Sequence, residues 1–185
     1  MRTRRRLTAL VLCTAATLAI STGCTSTSPD SPPSTGQPYS SAERALAISE
    51  AEQAVRDYYR VRDQCMADPP NTDPSCFDEV SMDDRNVSDR YSLEDAQDEG
   101  VRYVGTVVVA RTIRVVDVQL PSGLPKEVTL SICVDTTEFD MLQPDGSSVE
   151  SRSESDHLQF LFTVRKWTDT WKVADRSKDP EGETC

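Results

Sequence analysis

The second half of this chain contains strand-like segments alone, and no segment between them has the periodicity of a crossover helix. Valine and isoleucine dominate Val101 to Leu120, while apolar and polar residues alternate in Lys126 to Thr137 and again in His157 to Val164. A last strand starts at Trp171. Turn residues separate the strands at Pro121–Pro125, Pro144–Gly146 and Trp167–Trp171. Because parallel strands need long crossover connections, the pattern predicts an antiparallel meander.

One long helix precedes the strands. Ser40 and Glu43 have the spacing of a capping box, in which each side chain bonds the backbone N–H of the other residue. An apolar stripe at helical spacing follows, formed by Ile48, Ala51, Val55, Tyr58 and Cys65. The helix should end before the Asp68-Pro69-Pro70 sequence. We therefore expect an α+β domain, with the long N-terminal helix packed on a curved antiparallel sheet.

Residues 71–99 lack a clear periodicity and are rich in Asp and Glu. Asp84, Asn86, Ser88 and Asp95 occupy positions 1, 3, 5 and 12 of a calcium-hand loop, but Asp89 stands where the sharp turn needs glycine. The bidentate Glu of position 12 is also replaced by Asp. We interpret the segment as a solvated acidic loop, with a short helix that begins near Ser92 and ends at Gly100.

The order of these elements resembles the nuclear transport factor 2-like (cystatin-like α+β) superfamily. The resemblance covers residues 41–178 and depends on the leading helix with Tyr58-Tyr59, the hairpins and the closing segment from Trp171 to Asp175. It implies a long helix packed into a bent sheet that forms a cone. No diagnostic catalytic motif accompanies it, so the resemblance concerns architecture.

The first 40 residues have the organisation of an export signal and a tether. Four arginines precede the apolar run from Leu7 to Ile20, which is shorter than the about 20 residues that span a bilayer. Ser21 to Cys24 resembles a bacterial lipobox, although leucine is more usual at Ser21. We predict a signal peptide at 1–23, lipidation of Cys24 within a disordered Ser/Thr/Pro tether at 24–40, and the domain at 41–185.

This arrangement resembles the lipoproteins of high-GC Gram-positive bacteria, which are anchored on the extracytoplasmic face of the cell membrane. The alternative is ordinary cleavage near Ser21, which would give a soluble secreted protein with a free thiol at Cys24. Removal of residues 1–23 takes away four of the 20 basic residues, so 16 remain against 31 acidic residues, a net charge of −15. Such a charge excludes the basic footprint that nucleic acid needs.

Four cysteines remain after Cys13 leaves with the signal and Cys24 is lipidated. An even number suits disulfides in an exported domain. Three connectivities are open, and we favour Cys65–Cys76 with Cys133–Cys185 because the first pair is local. On the chain-entropy model they would contribute about 3 and about 4 kcal/mol. The absence of a CxxC motif argues against a zinc site or a redox-active pair.

Two classes of function remain. The first is a non-enzymatic binding or scaffold module of the cell envelope, with an envelope protein or a small apolar ligand as its partner. The second is an isomerase- or cyclase-like enzyme that uses the cone pocket, with Asp135 as base, Tyr58 or Tyr59 as hydrogen-bond donor, and His157 as another base. No cofactor or metal motif is evident, and we favour the binding module.

Overall fold

The computed structural model describes residues 39–149, 156–182 and 184–185, which belong to one compact unit, Gly36–Cys185. The predicted lipobox, Cys24 and most of the tether lie outside the described residues. Helix α1 (Ser41–Ala67) begins at the predicted capping box, where Ser40 Oγ accepts a hydrogen bond from the Glu43 N–H at 3.1 Å. It ends just before Pro69, as expected. No described helix is both long and apolar enough to cross a membrane.

A second long helix, α2 (Asp83–Glu99), occupies the segment that we expected to be a solvated loop. That expectation is wrong for residues 83–91, because the helix starts at Asp83 and not near Ser92. Its first turn carries Asp83 and Asp84, whose negative charges suit a helix N-terminus. Its end at Gly100 was predicted, and Gly100 has the left-handed conformation with φ 70°. Two short 3-10 helices, Pro69–Asn71 and Pro74–Phe77, connect α1 to α2.

The described residues form six strands: β1 (Arg102–Val104), β2 (Val108–Gln119), β3 (Lys126–Asp135), β4 (Asp140–Leu142), β5 (His157–Lys166) and β6 (Trp171–Lys178). Four of them form an antiparallel meander in the order β2-β3-β5-β6, and β1 and β4 form a separate antiparallel pair. The meander confirms the sequence prediction. The segment expected as one strand from Val101 is instead two strands, which Gly105 separates.

Gly105 separates β1 from β2 at a point where the main chain of the β3–β4 connection approaches it closely. Its φ is 75°, and a Cβ at this position would lie 1.6 Å from the carbonyl oxygen of Glu138. Only glycine permits both the conformation and the approach. The close contact brings the β3–β4 connection against β1, which places the two-stranded sheet beside the main one.

The core lies between α1 and one face of the main sheet. On that face, β3 and β5 pair Val128 with Val164 and Leu130 with Phe162. These four side chains are fully buried, and α1 contributes Ala51, Val55, Tyr58 and Tyr59 to the same cluster. The alternation predicted for β3 and β5 is therefore confirmed, and the domain is α+β.

The described residues contain two disulfides, and these have the connectivity favoured from the sequence. Cys65–Cys76 joins the last turns of α1 to the second 3-10 helix. Cys133–Cys185 joins β3 to the C-terminal residue across a separation of 52 residues. The second bridge holds the tail against the sheet face opposite α1.

Candidate functional site

A pocket of about 260 Å³ opens between α1, the small sheet and the core face of the main sheet; we call it the central pocket. Aromatic, aliphatic and charged side chains from six helices and strands and from three connections line it. The lining residues are Tyr59, Arg62, Tyr103, Val107, Val134, Thr136, Phe139, Met141, Asp156, Leu158, Phe160 and Arg176. A concave pocket in which aromatic and aliphatic walls meet a few polar and charged groups is a common form of a small-ligand site.

The apolar walls follow from the alternation of β3 and β5 and from the small sheet. Leu158 and Phe160 extend the core face of β5 beyond the part that α1 covers. Tyr103 of β1 packs edge-on against Phe139 with ring centroids 5.1 Å apart. Tyr59 of α1 closes the inner end, with a relative exposure of 2%. These rings give the central pocket rigid, flat surfaces.

Two guanidinium groups lie in this aromatic setting. Arg176 lies 4.9 Å from the ring centroid of Phe160, and its Nη1 donates a 3.4 Å hydrogen bond to the hydroxyl of Tyr59. Arg62 lies 5.0 Å from the ring centroid of Tyr103. Both contacts are within the range of cation–π attraction. The pocket therefore combines apolar rings with positive charge.

A β-bulge places Arg176 inside the pocket. β5 and β6 pair Val164 with Val173 but Thr163 with Asp175, so Ala174 is an extra residue in β6. Beyond the bulge the alternation changes face, and Arg176 is paired with the core residue Phe162. Simple alternation from Trp171 and Val173 would have put Asp175 on the core face. For this reason Arg176 was not predicted as a pocket residue from the sequence. Arg62 was not predicted either, because charged residues on a helix such as α1 are usually exposed to solvent.

The proposed base Asp135 lies outside the central pocket. It ends β3, where its carboxylate accepts hydrogen bonds from the N–H of Thr137 at 2.9 Å and from the Thr137 hydroxyl at 2.5 Å. These bonds lower the pKa of Asp135, so the carboxyl is a poor match to a general base near neutral pH. His157 is its cross-strand neighbour, with Nε2 3.6 Å from Oδ2 of Asp135 at a partly exposed strand end.

Tyr58 is also absent from the pocket lining, because it is completely buried between α1 and α2. Its hydroxyl donates a 2.9 Å hydrogen bond to Asp89, which Arg85 Nε also contacts at 2.9 Å. Burial, together with the charge of Asp89, raises the pKa of Tyr58. Of the candidate catalytic groups, only Tyr59 lines the central pocket, so Asp135, Tyr58 and His157 do not assemble into one acid–base site.

A shallower groove of about 500 Å³ runs along the outer side of α1 and the start of β2. Its one partly buried acidic group is Asp63, whose Oδ2 accepts the N–H of Val107 at 2.9 Å. Burial raises the pKa of Asp63. This contact ties α1 to the segment before β2, and the other polar residues along the groove are mostly exposed. The groove lacks the convergent groups of the central pocket.

Metal binding finds no support in the described part of the chain, where no group of three His, Cys, Asp or Glu side chains could hold an ion. The partial calcium-hand positions Asp84, Asn86, Ser88 and Asp95 lie on α2, so they do not form a loop. Asn86 instead donates to Asp78 at 3.1 Å.

These features define a small disulfide-linked α+β domain with a ligand-sized pocket. No family model matches the chain, and no curated protein matches it. Among solved structures, it is similar to the intermembrane space region of the chloroplast protein ARC6, with a TM-score of 0.50 and 13% sequence identity. The match covers 76% of this chain and 98% of that one. At this identity the likeness concerns the fold alone.

Proposed function

We propose that this chain is a membrane-anchored extracytoplasmic lipoprotein whose nuclear transport factor 2-like domain is a non-enzymatic binding module. The observation that carries the binding role is the central pocket, where rings from α1, both sheets and their connections converge on one partly enclosed space. Such convergence is typical of sites for small molecules. Its volume of about 260 Å³ lies slightly below the roughly 300–1,000 Å³ that is usual for drug-sized ligands, which favours a small one.

The lipoprotein part of the proposal depends on the sequence before the domain. A short apolar run, small residues before Cys24 and a Ser/Thr/Pro tether form the expected order of signal, lipid site and spacer. The two disulfides are consistent with an oxidising compartment outside the cytoplasm. The tether would hold the pocket away from the membrane surface.

The alternative of an isomerase- or cyclase-like enzyme has weaker support. It needs a base inside the cone, and its best candidate, Asp135, instead caps a turn at the end of β3. Asp156 is the only carboxylate that the described part of the chain contributes to the pocket lining. Asp156 has no hydrogen-bonded orienting partner for its side chain among the described residues. We therefore retain the binding module.

The binding role is tested by purifying the processed chain from bacterial membranes in mild detergent and analysing it by native mass spectrometry. We expect a co-purifying small molecule with wild type and its loss from Met141→Trp, because the larger side chain fills the central pocket. Val116→Trp is the matched control, since Val116 of β2 is 47% exposed and lies outside the pocket. Equal ligand content in all three proteins, or none in any, contradicts the proposal.

A further inference from the structure

We infer that the central pocket selects a small organic monoanion, with an apolar body against the aromatic walls and an acidic head group bound by Arg62 and Arg176. The inference rests on the proposed binding function and deepens it by naming the ligand class. A chain of net charge −11 places two cations together in a half-buried pocket with aromatic walls.

The other partly buried arginines among the described residues all have acidic partners. Arg85, Arg90, Arg114 and Arg165 each contact a carboxylate, namely Asp89, Asp78, Asp179 and Glu127. Arg62 and Arg176 are also partly buried, yet neither makes an ion pair with any described residue. A cation removed from water is costly unless it is paired. The pocket arginines are thus the exceptions to a rule that this protein otherwise follows.

Most N–H donors of Arg62 and Arg176 have no hydrogen-bond acceptor among the described residues. A guanidinium has five N–H donors in a planar fork. Arg176 uses one of them on Tyr59, and Arg62 donates to no described residue through a hydrogen bond. The rings of Phe160 and Tyr103 attract the two cations but accept no strong hydrogen bond from them. The free donors suit a carboxylate or a similar oxyanion, which arginine binds in bidentate fashion.

The charge of the pocket lining indicates the charge of the ligand. Among the described residues, the lining contains the two arginines and one carboxylate, Asp156, a net charge of +1. A monoanion neutralises that charge, whereas a dianion such as a phosphate monoester would meet an excess of negative charge beside Asp156. The rings of Tyr59, Tyr103 and Phe160 then cover an aromatic or short aliphatic body. An arenecarboxylate and a short fatty acid share this chemistry.

The test is isothermal titration of the full processed chain with two acids and their neutral amides. 2-Naphthoate is compared with 2-naphthamide, and octanoate with octanamide. We expect at least one acid to bind about tenfold or more tightly than its amide, since each charge-assisted hydrogen bond outweighs a neutral one. The acid that binds more tightly identifies the body as aromatic or aliphatic.

The variant Arg62→Gln/Arg176→Gln should reduce the affinity for the acid to that for the amide while leaving the amide unchanged. Arg102→Gln is the matched control, because Arg102 is exposed on β1 next to the pocket residue Tyr103. The comparison of acid with amide on wild type needs no variant, so it decides the question even if the double variant fails to fold.

Equal affinity for acid and amide overturns the anion inference but leaves the pocket as a binding site. Failure of all four compounds to bind also overturns it. If, in addition, Met141→Trp does not change the co-purified ligand, the proposed binding function fails as well.

Discussion

Asp179 is the residue that holds the C-terminal tail to the sheet. It is 1% exposed and accepts hydrogen bonds from the Ser131 hydroxyl at 2.6 Å and from Nε2 of Gln159 at 2.8 Å. Arg114 adds an ion pair at 2.9 Å. The Ser131 hydrogen bond is the largest of the effects that hold the pKa of Asp179 well below its usual range. A carboxylate with so many donors stabilises the fold only while it is charged.

The pH dependence of stability follows from this lowered pKa. The folded-state pKa lies below the unfolded value of about 3.9, so the contribution is present above that pH and is lost as the pH falls below it. We expect Asp179→Asn to be less stable at pH 7 and to lose less further stability between pH 4 and pH 2 than wild type. Urea unfolding across that range measures both effects.

The control for this experiment is Asp169→Asn, in the exposed turn between β5 and β6. It removes a carboxylate without disturbing the buried network. If Asp179→Asn and wild type lose stability in parallel as the solution is acidified, the role assigned to Asp179 is wrong.

At the scale of elements, α2 shows how a helix can be held by a buried charge pair. Its buried residues are Arg85, Asp89, Leu93 and Ala96, so half of its inner face is charged. Arg85 and Asp89 are one turn apart, and Tyr58 of α1 donates to the same carboxylate oxygen. The pair thus links the two helices through hydrogen bonds in addition to apolar packing.

This arrangement predicts an unequal response to mutation. Arg85→Met leaves Asp89 charged and buried, so we expect a loss of about 3–5 kcal/mol in the free energy of unfolding. Arg85→Met/Asp89→Asn removes the isolated charge but keeps an acceptor for Tyr58, and should recover a large part of that loss. Denaturant unfolding measures both variants. A double variant no more stable than Arg85→Met would contradict the assignment.

At the scale of the whole molecule, charge and anchoring act together. The chain without residues 1–23 has a net charge of −15, which opposes electrostatic attraction to anionic lipid. Stable attachment to the membrane would therefore depend on the proposed acyl chains at Cys24, since each buried CH₂ contributes about 0.8 kcal/mol. The acidic domain and its tether would then keep the pocket open to the space outside the membrane.

The anchoring proposal predicts that Cys24→Ser moves the protein from the detergent phase to the aqueous phase in phase partitioning of bacterial cells. Cys13→Ser is the matched control, because Cys13 lies in the segment that the proposed signal cleavage would remove. Mass spectrometry of the N-terminal peptide should find acyl chains on Cys24. An unmodified peptide that begins near Ser21 would instead establish ordinary secretion.

Much of the main sheet and the long helix could be predicted from the sequence. The capping box at Ser40, the alternation in β3 and β5 and the left-handed end at Gly100 are properties of neighbouring residues. They depend on local geometry, so they can be predicted without knowing which elements pack against them. The local spacing of Cys65 and Cys76 likewise favoured the connectivity that the structure has.

The central pocket and the first half of α2 were decided by the tertiary structure. α2 lacks an apolar stripe because two of its buried positions are Arg85 and Asp89, which contact one another and Tyr58 across the interface. Arg176 lies in the pocket only because an extra residue in β6 reverses the alternation of inward- and outward-facing side chains. The local sequence of β6 does not indicate this bulge. By itself the sequence determined the periodic elements and the cysteine framework, whereas long-range contacts decided which charges were buried and where the pocket formed.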